Sequence, residues 1–252
     1  MIIIKTEKEI EMMRRAGAKL ARLLDDLILG VIKDGASAYD VEMFVLDYMK
    51  KINVIPTFKG YADFPYATCI SVNEEVIHGF ALKEKVFKNG DLVSIDCGLT
   101  YEGYIADSAR TFIIGDVSEK EKKLVEVTKK SLYLGIEQAV PGNRIGDIGN
   151  AVQKYVEQHG FSVIRDFVGH GVGRKLHEDP QVPNFGRPNS GALLRKNMTI
   201  AIEPMVAMGN YEVEVLDDGW TTVTKDRSKA AHFEHSIVIT ENGPEILTSL
   251  NP

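Results

Sequence analysis

Cysteine is almost missing from this chain. Cys69 and Cys97 are the only two, and no C-x-x-C spacing joins them, so neither a disulfide framework nor a thiolate zinc site is encoded. Basic residues are the minority, 30 Lys and Arg against 36 Asp and Glu. A net charge of -6 without any basic run argues against nucleic acid as a substrate. Long apolar runs are absent too. The stretch "MIIIKTEKEIEMM" meets charge straight after its three isoleucines, which fits neither a signal-peptide core nor a membrane span. These absences predict a cytoplasmic protein with no membrane segment. What remains is a globular composition, 44% apolar and 26% charged, in 252 residues that suffice for one large domain or two small ones.

Local signals divide the chain into alternating blocks of helix and strand. Thr6 followed by Glu9 is a capping-box pair, and Ile10, Met13, Ala16, Leu20 and Leu24 keep helical spacing, which predicts a first helix from about Glu7 into the late twenties. After a turn at Gly35, Val41, Phe44, Val45 and Tyr48 mark a second. The stretches "TCISVN", "LVSIDCGLTYEG" and "SARTFII" are β-branched and bounded by turn residues, and read as strands. Ser118 with Glu121 caps a third helix, and a fourth ends near Gly160. Strands follow again at "SVIRDFV", "MTIAIEPM" and "HSIVIT". Shifting by 107 positions carries Gly35 onto Gly142, Asp40 onto Asp147, Val45 onto Val152, Tyr48 onto Tyr155, and "SIDCG" onto "AIEPM" with Asp96 on Glu203. The echo predicts two related α+β halves, about 1–115 and 116–252, whose sheets merge around a pseudo-two-fold axis with a ligand cleft between them.

The acids inside the strands carry the chemistry. Asp96 interrupts the apolar "LVSIDCGL", where an unpartnered carboxylate is costly to bury. If Glu102-Gly103 is a two-residue hairpin turn, Asp107 pairs with position 98, and Asp96 and Asp107 become diagonal neighbours on one face, about 7–8 Å apart at Cα. Two anions so placed repel unless they share a proton or a cation, and the flanking Val93, Ile95 and Ile105 favour a cation. Glu203 in "TIAIEPM" and Glu234 in "AHFEHSIVI" would complete a set of four carboxylates, which two divalent ions would balance. Adding His170, from the Gly-rich "DFVGHGVGRKLHEDP", gives an oxygen-rich donor set with one imidazole. Such a set suits manganese, iron, cobalt or zinc. Bridging carboxylates would hold the ions about 3.5–4 Å apart, the spacing at which a shared water becomes a hydroxide nucleophile.

Asp96, Asp107, "GHGVGRKLHEDP", "TIAIEPM" and "FEHSIVIT", in this order and over almost the whole chain, resemble the type I methionine aminopeptidases of the pita-bread fold. The resemblance implies an α+β fold of two pseudo-symmetric halves with a central antiparallel sheet and outer helices, forming one catalytic domain over 1–252. It implies a dinuclear hydrolase that removes the initiator methionine from nascent polypeptides with a small second residue, acting as a monomer in the cytoplasm with a transient ribosome contact. Its metal ligands would be Asp96, Asp107, His170, Glu203 and Glu234. His78, in "NEEVIHGF", and His177 would contact substrate, and Glu203 would also shuttle the proton. Tyr61, Phe64, Cys69 and Trp220 resemble the family's methionine pocket, while Phe58 and Leu176 stand where members differ. "YIADSA" departs from the family's usual His-Gly-Asp before the second hairpin ligand, without touching either carboxylate.

Blander readings exist for several of these residues. Cys69 could be a small buried hydrophobe, Trp220 a loop anchor, and His159 a helix-end cation meeting the dipole. His232 and His235, which flank Glu234, have supporting roles at most. Two rival functions share the fold: a Xaa-Pro aminopeptidase or prolidase, whose members carry a further N-terminal domain, and a metal-free binding module, against which the complete set of ligand-type residues speaks.

Overall fold

The computed structural model describes residues 1–250. Four helices form its outer layer: Glu7–Asp25, Ala38–Lys51, Glu119–Glu137 and Ile145–Gln158. Thr6, Ser37 and Ser118 cap the first three through side-chain oxygens, each answered by an acid three residues on. At the fourth, Arg144 stands at the cap, and only the reciprocal bond from its backbone N–H to Asp147 is kept, at 2.7 Å. The two leading helices have nineteen residues each and the two following ones fourteen. The shift of 107 carries the second helix onto the fourth end to end, and carries the bridge between Ser37 and Val86 onto that between Arg144 and Leu193.

The apolar faces of these helices point inward onto strands. Leu20, Leu24, Val41 and Val45 pack with Val93, Ile95 and Leu99 in one cluster, and Leu132, Ile136 and Ile148 pack with Ile200, Ile202 and Ile237 in another. Leu99 is fully buried in the first. Leu99→Ala leaves a void and is expected to cost about 2–5 kcal/mol in a denaturant titration. A loss below about 1 kcal/mol would show that the cluster is not the stabilising core described here.

In the first half, the strands Leu92–Tyr101 and Tyr104–Ile113 form a hairpin whose turn residues, Glu102 and Gly103, both have positive φ. Asp107 lies opposite Gly98 and Asp96 opposite Ala109, the register expected from the turn. The second half repeats the hairpin in broken form. Thr199–Ile202 pairs with His235–Thr240, and Met205–Ala207 pairs with Ala230–His232. The register is the same on both sides of the break, which sets Glu203 opposite Glu234. Pro204, with no N–H to give to a ladder, explains why "MTIAIEPM" is two strands rather than one.

A ladder crosses between the halves, where Glu75–Ile77 pairs with Thr222–Thr224, and the two hairpins meet at a seam. Hydroxyl groups close it. Ser108 Oγ donates to the Glu234 carbonyl at 2.6 Å, Thr111 Oγ1 to the His232 carbonyl at 2.8 Å, and Ser236 Oγ to the Asp107 carbonyl at 2.8 Å. A main-chain bond from Glu234 N–H to the Ala109 carbonyl at 3.0 Å joins the hairpins there, and Ala230 N–H donates to the Asn73 carbonyl at 2.8 Å beside it. Two expectations are corrected. The first helix ends at Asp25, with a 3-10 turn over Leu27–Gly30, and "SVIRDFV" is a strand only over Ser162–Val163, after which Arg165 lies over the Tyr211 ring. Among the described residues, no helix is long and apolar enough to cross a membrane.

Candidate metal centre and substrate cavity

A cavity of about 260 Å³ opens between the two halves. All eleven site residues expected from the sequence line it: Tyr61, Phe64, Cys69, His78, Asp96, Asp107, His170, His177, Glu203, Trp220 and Glu234. Phe58 and Leu176 line it as well. Ile77, Phe167 and Val168 also do, and sequence reasoning missed them; for the last two the available signal was their position just before the Gly-His-Gly segment.

One end of the cavity is acidic. Asp96, Asp107, Glu203 and Glu234 are all buried, and Asp96 Oδ1, Asp107 Oδ1 and Glu234 Oε1 have no hydrogen-bond partner among protein groups. Burial, with mutual repulsion behind it, pushes the carboxyls of Asp96, Glu203 and Glu234 well above the usual range. Burial pushes Asp107 up to about 7.

His170 reaches this group from the short strand Gly169–Gly171, which pairs on both sides. A Cβ on Gly169 would fall 2.3 Å from the Ala201 carbonyl oxygen, and one on Gly171 2.2 Å from that of Asp179. Glycine is therefore what lets the strand wedge between its neighbours, and this accounts for the Gly-rich setting of the histidine. His170 Nδ1 lies 2.9 Å from the Gly171 carbonyl. A carbonyl only accepts, so Nδ1 carries the proton and Nε2 presents its lone pair, 3.4 Å from Glu203 Oε1 and 3.7 Å from Asp107 Oδ2. Burial, followed by the nearby His177, lowers this imidazole to about 4, so it is neutral at pH 7. Ligand-type atoms of Asp107, His170 and Glu234 lie within 4.8 Å of one another. Unpartnered buried carboxylate oxygens and a bare imidazole nitrogen suit a divalent cation, and among the described residues no Lys or Arg lines the cavity to take that place.

The other end is apolar and aromatic. The Phe64 and Trp220 rings meet edge to face at 5.1 Å, and Cys69 lies opposite Asp96 in the adjoining strand Thr68–Val72. Trp220 follows a turn in which the Asp218 carboxylate accepts its N–H, so it both anchors that loop and lines the cavity. His78 has φ 59, a backbone rarely adopted by an L residue, and its ring stands edge-on between Phe167 and Trp220. Burial holds its pKa down to about 4. His177, also lowered by burial, lies with its ring 4.4 Å from that of His170.

The remaining histidines separate cleanly. His232 Nε2 has no hydrogen-bond partner and sits 4.0 Å from Glu203 Oε2, directly behind the acidic end. His235 points away, with Nδ1 2.8 Å from Thr248 Oγ1. Strand alternation carries the signal that distinguishes them, since His232 shares a face with Glu234 and His235 does not. His159 caps its helix and bonds the Tyr155 carbonyl.

Residues 11–241 match the model of metallopeptidase family M24, and the chain belongs to that family. Its fold is the pita-bread fold of that class. A methionine aminopeptidase of Clostridium acetobutylicum is 50% identical over 98% of this chain and 99% of its own length. The crystal structure of a methionine aminopeptidase from Thermotoga maritima superposes with a TM-score of 0.97 at 56% identity, over 99% of this chain and all of that one. A prolidase from Pyrococcus horikoshii matches with a TM-score of 0.77 at 25% identity, over 98% of this chain but 63% of that one.

Proposed function

We propose that this metallopeptidase releases methionine from the N-termini of new polypeptide chains whose second residue is small. The observation that carries the reading is the union, in one cavity, of five buried metal-type donors with an apolar wall of Phe64, Cys69 and Trp220. The polarizable thioether of methionine suits that wall, where sulfur near ring edges contributes about 0.3–1.5 kcal/mol beyond burial. The two methionine aminopeptidases named above, half or more identical over nearly their full lengths, favour this reading over the prolidase. On this reading the whole chain is one catalytic domain, working as a cytoplasmic monomer in transient contact with the ribosome.

Asp96, Asp107, His170, Glu203 and Glu234 would hold two divalent ions, drawn from cobalt, manganese, iron or zinc. Bound there, the ions supply Lewis acidity and an acidified water. Glu203 takes the proton from the attacking water on a carboxylate oxygen and passes it to the leaving amine nitrogen. His177 stabilises the oxygen of the scissile carbonyl as charge develops on it, and His78, held rigid between two rings, positions the peptide beside it. The free α-amino group of the substrate is held at the acidic end, which fixes the cut after the first residue.

His177→Ala is expected to keep its metal and lose about 10²–10³-fold in kcat with metal-loaded enzyme. A drop in metal content instead would make His177 a ligand. Incubation with Met-Ala-Ser and with Gly-Pro tests the substrate class. Free methionine from the first and no cleavage of the second is the expected pair, and the reverse pair would favour the prolidase.

A further inference from the structure

We infer that Tyr61 is a positioning residue that fixes the tautomer of His177, in addition to lining the cavity. Its hydroxyl lies 2.7 Å from His177 Nδ1, and the two rings meet edge to face at 5.3 Å. A phenol O–H is a stronger donor than a neutral imidazole N–H, and an imidazole nitrogen a better acceptor than a phenol oxygen, so the favoured arrangement has Tyr61 donating and Nδ1 accepting. The ring proton of neutral His177 is then on Nε2, where it can be donated into the cavity that His177 lines. Without the phenol, either nitrogen could carry the proton, and only one of the two tautomers could serve a carbonyl oxygen.

The backbone around Tyr61 is built to hold it there. Ala62 and Asp63 adopt φ 46 and 68, two successive L residues in the left-handed region, just after Gly60 at φ 85. Strain of that kind persists only where surrounding contacts impose it, and it concentrates at working sites. The contacts are present. Gly60 N–H donates to the Phe64 carbonyl at 2.8 Å, Phe64 N–H to the Tyr61 carbonyl at 2.9 Å, and Tyr61 N–H to the Phe58 carbonyl at 2.9 Å. The Phe64 ring anchors the turn against Trp220 and Phe80. A residue needed only to line an apolar pocket would not require its hydroxyl, nor this turn to aim it.

The inference rests on the role proposed for His177, and two measurements test it. The first is long-range ¹H–¹⁵N correlation NMR on protein labelled at its six histidines and loaded with diamagnetic zinc, with His177→Asn assigning the resonance. Wild-type His177 should be the Nε2–H tautomer, and Tyr61→Phe should shift it toward a mixture. An unchanged tautomer in Tyr61→Phe would overturn the inference. The second is a double-mutant cycle with Met-Ala-Ser. Tyr61→Phe should lower kcat about 2–10-fold with KM nearly constant, the range of one hydrogen bond, and should have no further effect in the His177→Ala background. A raised KM at constant kcat, persisting without His177, would reduce Tyr61 to a pocket wall. The tautomer is read without turnover, so failure of the aminopeptidase reading would appear separately, as an inactive wild type.

Discussion

Asp107→Ala and His170→Ala are expected to lose bound metal and at least about 10³-fold in kcat/KM, the equivalent of several kcal/mol of charge stabilisation in the transition state. Each removes one atom from the cluster in which Asp107, His170 and Glu234 approach within 4.8 Å. The remaining acids stay buried and repel. A variant that stayed metal-replete and active would leave the ligand set. The same cluster predicts a pH dependence. The carboxyl of Asp107, ordinarily near 3.8, is pushed up to about 7, so between these values the folded metal-free protein holds a proton that the unfolded chain has lost. Its contribution to metal-free stability is full below about pH 4 and is lost as pH rises through about 7. A bound cation must displace that proton. Apparent metal affinity is therefore expected to fall as pH drops below about 7, with protons released on binding, and calorimetry in two buffers of different ionisation enthalpy measures that release. Affinity independent of pH between 5 and 7 would mean that the carboxyls are already ionised before metal arrives.

Met-Xaa-Ser peptides should divide sharply by their second residue. That residue must sit beside the loop carrying His177, whose ring is hemmed in by His170 at 4.4 Å and Tyr61 at 5.3 Å. Ala, Gly and Ser should be accepted, and Lys or Phe should be at least about 10²-fold poorer in kcat/KM, the discrimination a tight pocket can supply against a bulkier group. Methionine should also beat leucine at the first position, because the wall of Phe64, Cys69 and Trp220 favours an unbranched thioether. Indifference to the second residue would show that the cavity mouth is wider than these rings leave it.

Much of this site could be read from the chain because its key distances are set locally. The Glu102-Gly103 turn dictates the hairpin register, and the register alone brings Asp107 to Gly98 and within diagonal reach of Asp96. Repetition extended that logic to Glu203, although the break at Pro204, whose missing N–H was there to be read, was not anticipated. Long-range features were out of reach. Nothing local in Ser108, Thr111 or Ser236 indicates that their hydroxyls close the seam between the halves. The family resemblance placed Tyr61 at the pocket, but its aim at His177 depends on two left-handed residues that no propensity predicts, and on a partner 116 positions away.

The most direct test of the central claim is the release of free methionine from Met-Ala-Ser and from acetyl-Met-Ala-Ser, before and after metal is removed with a chelator. The proposed function requires an unblocked α-amino group at the acidic end and a divalent ion among the buried carboxylates. Methionine should appear only from the unblocked peptide, stop on chelation and return when metal is restored. Comparable cleavage of the acetylated peptide, or turnover that survives chelation with no metal left in the protein, would contradict the account.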